Sequence, residues 1–265
     1  MTVSSPAAIA HAFVNARRLA VALPDYPGPI PQTLDEAYAI QDAAMHLVDA
    51  AVGGWKVGRI QPPLSDRYGV DRLAGPIFAP TIKIVDDQAE GLIFPQGFGA
   101  AEAEFLVRIG KTPDPAKSRY SLEEAAEHIG AVHIGLEIAS SPLGAINDLG
   151  PAVTISDFGN NNGLLIGAEI ADWRSLAFAD QQVSLAVDGA IAGAGRAASF
   201  PDGPIGSVRF LLENLAARNI LLQSGAWIST GAVTGVHKVS VGQHVVADFG
   251  ALGSVRCRIE PQQPQ

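Results

Sequence analysis

Two stretches of this chain alternate as strands do, yet place acids inside otherwise apolar runs. The first is Ala101-Glu-Ala-Glu-Phe-Leu-Val-Arg-Ile109. With a period of two, Ala103, Phe105, Val107 and Ile109 face one way, and Glu102, Glu104, Leu106 and Arg108 the other. The second is Val132-His-Ile-Gly-Leu-Glu-Ile-Ala139, where Glu137 is the single acid. A chain with these segments must either leave those faces in water or neutralise the acids. The first solution is a solvated edge, with Arg108 as a surface partner. The second is a cation. Glu102 and Glu104 would be about 6.6 Å apart at the backbone, close enough for both side chains to reach one ion. A lone buried carboxylate such as Glu137 is costly unless a cation sits beside it. Three carboxylates without a nearby cysteine describe a hard, oxygen-ligand site: Mg2+ or Mn2+, with Ca2+ as a further fit.

The rest of the chain suits a β-rich body. It has 265 residues, 48% of them hydrophobic, with 28 Gly and 18 Pro and only 17% charged. That is enough for one large core with many turns. The net charge is −9 and no Lys/Arg cluster interrupts it, so no nucleic-acid partner is expected. Cys257 is the only cysteine, which excludes an internal disulfide and a cysteine-based zinc site. No leader pattern and no apolar run of about 18 residues is visible. The expectation is a cytoplasmic protein with no membrane partner.

Helices are expected first. Residues 6–22 carry Ala and Leu at helical spacing. Thr33-Leu-Asp-Glu36 is a capping box that opens a helix to about Asp49, stopped by Gly53-Gly54. Ser121 opens a short capped helix, and Pro204 opens another with Asn219 near its end. Asp188-Gly189 predicts a tight hairpin. The reading is α+β: an N-terminal helical part over residues 1–75, then a β-rich catalytic core over 76–265.

The segments AEAEF, LEIAS and ISDFGNNNGLLIG, in that order, resemble the fumarylacetoacetate hydrolase superfamily. The likeness is greatest to its branch of 2-keto-4-pentenoate hydratases and 4-oxalocrotonate decarboxylases. It runs from about Thr33 to Ile259. It includes Gly53-Gly-Trp-Lys-Val-Gly58, Gly75-Pro-Ile-Phe78, Ile228-Ser-Thr-Gly231 and the closing run Ala247-Asp-Phe-Gly-Ala-Leu-Gly-Ser-Val255. The resemblance implies a mixed β-roll core, a homo-oligomer with room for a partner enzyme of the same pathway, and Glu102, Glu104 and Glu137 as metal ligands. It places the family's lysine on Lys56, the candidate proton relay. Flanked by Trp55 and Val57, Lys56 is expected to be partly desolvated and so biased toward its neutral form. It places substrate-lining groups at Asn161, Thr230 and Gly231. The implied activity is hydration of a 2-hydroxy-2,4-dienoate or 2-oxo-4-enoate to a 4-hydroxy-2-oxo acid in aromatic-compound catabolism. A 2-oxo-dienedioate decarboxylase, or another C–C hydrolase or tautomerase, is the alternative.

Several positions depart from the family pattern. After Gly58 stands Arg59-Ile-Gln-Pro-Pro63 in place of a Leu-Thr-Ser stretch. After Glu137 stands Ser140-Ser-Pro142, without the usual arginine. Asp157-Phe158-Gly159 replaces Asp-Asn-Ala, and Gly225-Ala226 replaces Gly-Asp. Arg59 is therefore a candidate carboxylate clamp, since a planar guanidinium suits that task. These losses also leave open a non-catalytic accessory or acid-binding subunit, against which the retained Lys56 counts. Gly193-Ala-Gly195-Arg-Ala-Ala198 matches a dinucleotide-loop spacing, but it follows a hairpin and lacks the strand–turn–helix setting such a loop needs.

Overall fold

The computed structural model describes residues 5–175 and 177–265. Two helices open the chain, α1 (Pro6–Leu19) and α2 (Leu34–Met45). Ser5 caps α1 by accepting from the Ala8 N–H, and Thr33 and Glu36 form the expected capping box of α2. Then come β1 (Val52–Arg59), α3 (Leu64–Tyr68), β2 (Arg72–Phe78), β3 (Ile82–Ile84), β4 (Ala89–Ile93) and the long strand β5 (Phe98–Ile109). Next are α4 (Leu122–Glu127), β6 (Ile129–Ser141), α5 (Pro151–Ser156), β7 (Asn161–Glu169), β8 (Val183–Val187) and β9 (Ala190–Gly195). The chain closes with α6 (Gly203–Ala217), β10 (Trp227–Ser229), β11 (His237–Lys238), β12 (His244–Asp248) and β13 (Ser254–Pro261).

The strands form two mixed sheets. The larger runs β2-β1-β10-β5-β6-β7-β3, with β11 also paired to β5; the smaller runs β4-β13-β12-β8-β9. The two sheets close on an apolar core, fed by the Phe105 face of β5 and by Leu185, Val245 and Val255 of the smaller sheet. Phe105 meets Phe178 and Phe249 edge-on, at 5.0 and 5.3 Å between ring centres. The turn between β8 and β9 falls on Asp188 and Gly189, both left-handed, as a tight hairpin requires. The Gly193–Ala198 motif lies on β9 and a single 3-10 turn (Ala197–Ser199), with no α-helix opening there. Among the described residues no helix is long and apolar enough to cross a membrane.

The helical part is shorter than expected. α2 ends at Met45, and β1 and β2 occupy one edge of the larger sheet, so the boundary expected at residue 75 runs through β2. Gly53-Gly54 lies within β1 instead of stopping a helix. The reason is contact: a Cβ on Gly54 would sit 2.6 Å from the Trp227 carbonyl of β10. Glycine lets these two parallel strands approach.

Candidate metal centre

Strand register assembles the site. Glu102 of β5 lies directly opposite Glu137 of β6, and Glu104 is on the same face two residues along. β10 flanks β5 on the other side, and its Ser229 is in register with Lys56 of β1. Four adjacent strands thus bring Lys56, Ser229, Glu102, Glu104 and Glu137 to one place. The expected convergence of the three acids is observed: all are buried, and each offers a carboxylate oxygen within 4.8 Å of the others.

The surroundings hold these carboxylates firmly. Lys56 Nζ is 3.2 Å from Glu137 Oε1 and donates to Asn160 Oδ1 at 3.4 Å. Asn161 Nδ2 donates to Glu137 Oε1 at 2.9 Å. The Ser229 hydroxyl donates to Glu104 Oε2, which also accepts the Gly231 N–H at 2.9 Å. Glu104 Oε1 is buried and has no hydrogen-bond partner.

One lysine faces three buried acids, and the electrostatics record the imbalance. Burial first, then the Glu137 charge, pushes Glu102 up to about 7 despite the pull of Lys56. Burial and the charges of Glu137 and Glu102 raise Glu104 well above the usual carboxylate range. These acids fit a divalent cation: the donor set is all oxygen, it carries surplus negative charge, and Glu104 Oε1 needs a partner.

Lys56 corrects one expectation. Its burial does favour the neutral form, but the charges of Glu137, Glu102 and Glu104 outweigh it and hold the pKa above the ordinary lysine value. In the ion-free site the charged form of Lys56 is favoured. A cation on the carboxylates would weaken that attraction and give burial more weight.

The other sequence candidates divide. Arg59 lines a cavity of about 410 Å³ together with Lys56 and Glu102. Asn161 supports Glu137 from behind and borders a separate cavity of about 390 Å³. The Thr230 hydroxyl donates to the Phe105 carbonyl at 2.7 Å, so it fastens β10 to β5. The Gly231 N–H serves Glu104, not an incoming carboxylate. His133 contacts the Gly167 carbonyl at 3.0 Å and packs edge-on against Trp227, so it is a half-buried histidine with its ring already engaged.

Three residues of the site were not foreseen. Ser229 and Asn160 act through partners distant in sequence. Asn160 follows Phe158 and Gly159, all three left-handed. That turn sits tight on β2, where a Cβ on Gly75 would meet the Phe158 carbonyl at 2.2 Å. The third is Arg17 of α1. Its guanidinium pairs with the buried Asp157 and also donates to the carbonyls of Ser140 at 2.9 Å and Asn161 at 3.1 Å. Its signal was a cation one helical turn after the buried Phe13.

A scan against family models finds no match, and neither does a search of curated proteins. Solved structures do match. The 4-oxalocrotonate decarboxylase of Pseudomonas putida G7, complexed with calcium and acetate, superposes with a TM-score of 0.80 at 20% identity, covering 98% of both chains. Its complex with magnesium and adipate gives 0.81 at 20% identity, over 96% of this chain and 97% of that one. The chain shares the fold of these decarboxylase structures over nearly its whole length. The fumarylpyruvate hydrolase of Pseudomonas aeruginosa, in complex with Mn2+ and pyruvate, matches with a TM-score of 0.56 at 20% identity, over 82% of this chain and 94% of that one. In this fold the acids stand on the two longest strands, β5 and β6, facing away from the inter-sheet core.

Ser229 gives a direct test of how the carboxylates are oriented. Ser229→Ala is expected to lower Mn2+ affinity about 10- to 100-fold, the usual range for a group that orients a ligand. Isothermal titration measures it. An unchanged affinity would mean that the hydroxyl does not set the position of Glu104.

Proposed function

We propose that this chain is a divalent-metal enzyme acting on a small 2-oxo or 2-hydroxydienoic acid. The observation that carries the reading is the buried triad Glu102, Glu104 and Glu137, with Lys56 beside it and a cavity opening on Lys56 and Glu102. Mg2+ or Mn2+ is the cofactor the donor set suits, and the similar structures complexed with magnesium and Mn2+ support that choice. When bound, the ion supplies Lewis-acid stabilisation of an enolate.

The chain's own residues do the rest. Glu102, Glu104 and Glu137 fix the ion, and Ser229, Gly231 and Asn161 fix those carboxylates. Lys56 holds a proton at Nζ at the cavity wall, in reach of a dienolate carbon that must be protonated on the way to the 2-oxo form. Asn160, anchored to Asn147 at 2.9 Å, keeps Nζ aimed. In the hydratase reading, water then adds to the conjugated double bond and gives a 4-hydroxy-2-oxo acid, a step in aromatic-compound catabolism. The second reading is decarboxylation of a 2-oxo-dienedioate. It is favoured by the near full-length likeness to a 4-oxalocrotonate decarboxylase. The exposed Ile84 and Ile191, on the edge strands β3 and β9, support a homo-oligomer that covers them.

The test is chelator-stripped protein assayed with 2-hydroxypenta-2,4-dienoate and, in parallel, with a 2-oxo-dienedioate. Turnover of one of them should return on adding Mg2+ or Mn2+. In Lys56→Met it should fall about 100- to 10,000-fold, the usual worth of a positioned proton donor. Which acid is consumed decides between hydratase and decarboxylase. Metal binding at the triad without turnover of either acid would favour the accessory-subunit reading, and failure to bind metal would defeat the proposal.

A further inference from the structure

We propose that a second cavity, separated from the acid triad by Asn161, binds a small neutral aromatic molecule with a hydrogen-bond donor, phenol being the simplest, and that its occupancy tightens the triad's hold on its ion. The cavity stands on its own geometry; the coupling rests on the proposed metal site. The cavity has a volume of about 390 Å³ and lies between α1, the turn after α2, the end of β2, the start of β7 and the residues after β13. That is the size of a small-molecule site. It shares no lining residue with the cavity of Lys56 and Glu102. Phe78, Phe94 and Phe158 line it, together with Leu47 and Val48. Phe78 and Phe158 meet edge-on at 5.1 Å, and the Arg17 guanidinium lies 5.6 Å from the Phe94 ring centre and 5.4 Å from that of Phe158. A further flat ring fits such an edge-to-face arrangement.

The polar groups of the lining select the ligand. Arg17 is neutralised by Asp157, and the exposed Arg18 and Asp49 offset each other in sign, so the lining favours no ion of either charge. Arg17 also donates to Asn162 Oδ1 at 3.1 Å, and Asn162 Nδ2 donates to the Leu92 carbonyl at 2.7 Å. The Thr81 hydroxyl donates to the Phe78 carbonyl at 2.8 Å. Asn161 differs. It is only 5% exposed and its Nδ2 donates to Glu137 Oε1 at 2.9 Å, yet its Oδ1 accepts nothing among the described residues. A carboxylate can only accept, so Glu137 fixes which end of this amide is nitrogen. The open oxygen needs a donor, whereas an ionised acid would bring another acceptor. A hydroxyl donating to that oxygen polarises the amide and strengthens its bond to Glu137. By linkage, the ion then raises phenol affinity by the same factor as phenol raises ion affinity.

The probes are phenol, toluene and benzoate, which share one ring and differ in carrying a donor, a methyl group or a carboxylate. Titrated calorimetrically into the Mg2+-loaded protein, phenol is expected to saturate and to bind about 10-fold tighter than toluene, as one net hydrogen bond allows. Benzoate should also bind more weakly than phenol. Leu47→Trp and Val48→Phe enlarge two wall residues, and each should weaken phenol binding by at least about 10-fold through overpacking. Their Mg2+ affinity, measured without phenol, should stay at the wild-type value. Chelation of the wild type should lower phenol affinity about 5-fold, the lower end of ordinary coupling. The cavity assignment is overturned if phenol does not saturate, if toluene or benzoate matches it, or if both wall variants bind it like the wild type. Phenol affinity that is the same with and without Mg2+ overturns the coupling. Failure to hold Mg2+ at all would strike the metal reading instead, and the phenol titration would still decide the cavity.

Discussion

Glu102→Gln makes the metal-free protein more stable at pH 8, and at the same time weakens its hold on Mg2+ by more than about 100-fold, beyond the usual effect of losing an orienting partner. The two effects have one origin. Glu102 is buried among acids and has a folded pKa raised to about 7, because burial and Glu137 outweigh Lys56. A carboxyl whose pKa is raised on folding contributes stability below its unfolded pKa and loses it as the pH climbs through the folded one. The loss therefore falls between about pH 4.5 and 7. Above that window it is on the order of 3 kcal/mol, or several degrees of melting temperature for a chain of this size. Glutamine has no such titration. Thermal melts after chelation should show the variant ahead at pH 8 and the gap closing as the pH falls toward 4.5. Saturating Mg2+ should reverse the order, since only the wild type gains fully from the ion. Parallel pH profiles for the two proteins would mean that Glu102 carries no strained charge.

Arg17→Ala should destabilise the protein by about 3–5 kcal/mol, the range for stripping one partner from a buried ion pair. Asp157 is fully buried and keeps only the Ser141 hydroxyl, at 2.6 Å, when the guanidinium is gone. Arg17 also holds the Asn161 carbonyl, while the Asn161 side chain holds Glu137. Metal affinity should thus fall as well, by about 10- to 100-fold. Denaturant unfolding and titration with Mn2+ measure the two effects separately. A fall in stability with unchanged metal affinity would show that Asn161 stays in place without Arg17.

The acid triad was legible because a period of two puts Glu102 and Glu104 on one face and isolates Glu137 in an apolar strand. The capped helix starts and the Asp188-Gly189 turn were legible for the same reason, as local chemistry carried by adjacent residues. What escaped was set by pairing across the chain. Ser229 matters only because β10 lies between β1 and β5. The ammonium state of Lys56 depends on three acids from two other strands, and its apolar neighbours Trp55 and Val57 pointed the opposite way. Gly54 read as a helix stop, because the nearby carbonyl of Trp227 is invisible in sequence. Arg17 escaped notice because its partner Asp157 is distant in sequence.

The order of the strands also bears on how the molecule assembles. β1 and β10 come from opposite ends of the chain, yet they are parallel neighbours, and the site spans their seam. Contacts so distant in sequence form slowly, after the local hairpins. In a refolding chain the triad on β5 and β6 can meet early, whereas Lys56 and Ser229 join it only when that seam closes. Trp55 and Trp227 flank the seam, so their fluorescence can time its closure. Tight ion capture should then lag the formation of the β5–β6 pair and coincide with the tryptophan signal, making the ion a clock for the last strand to dock.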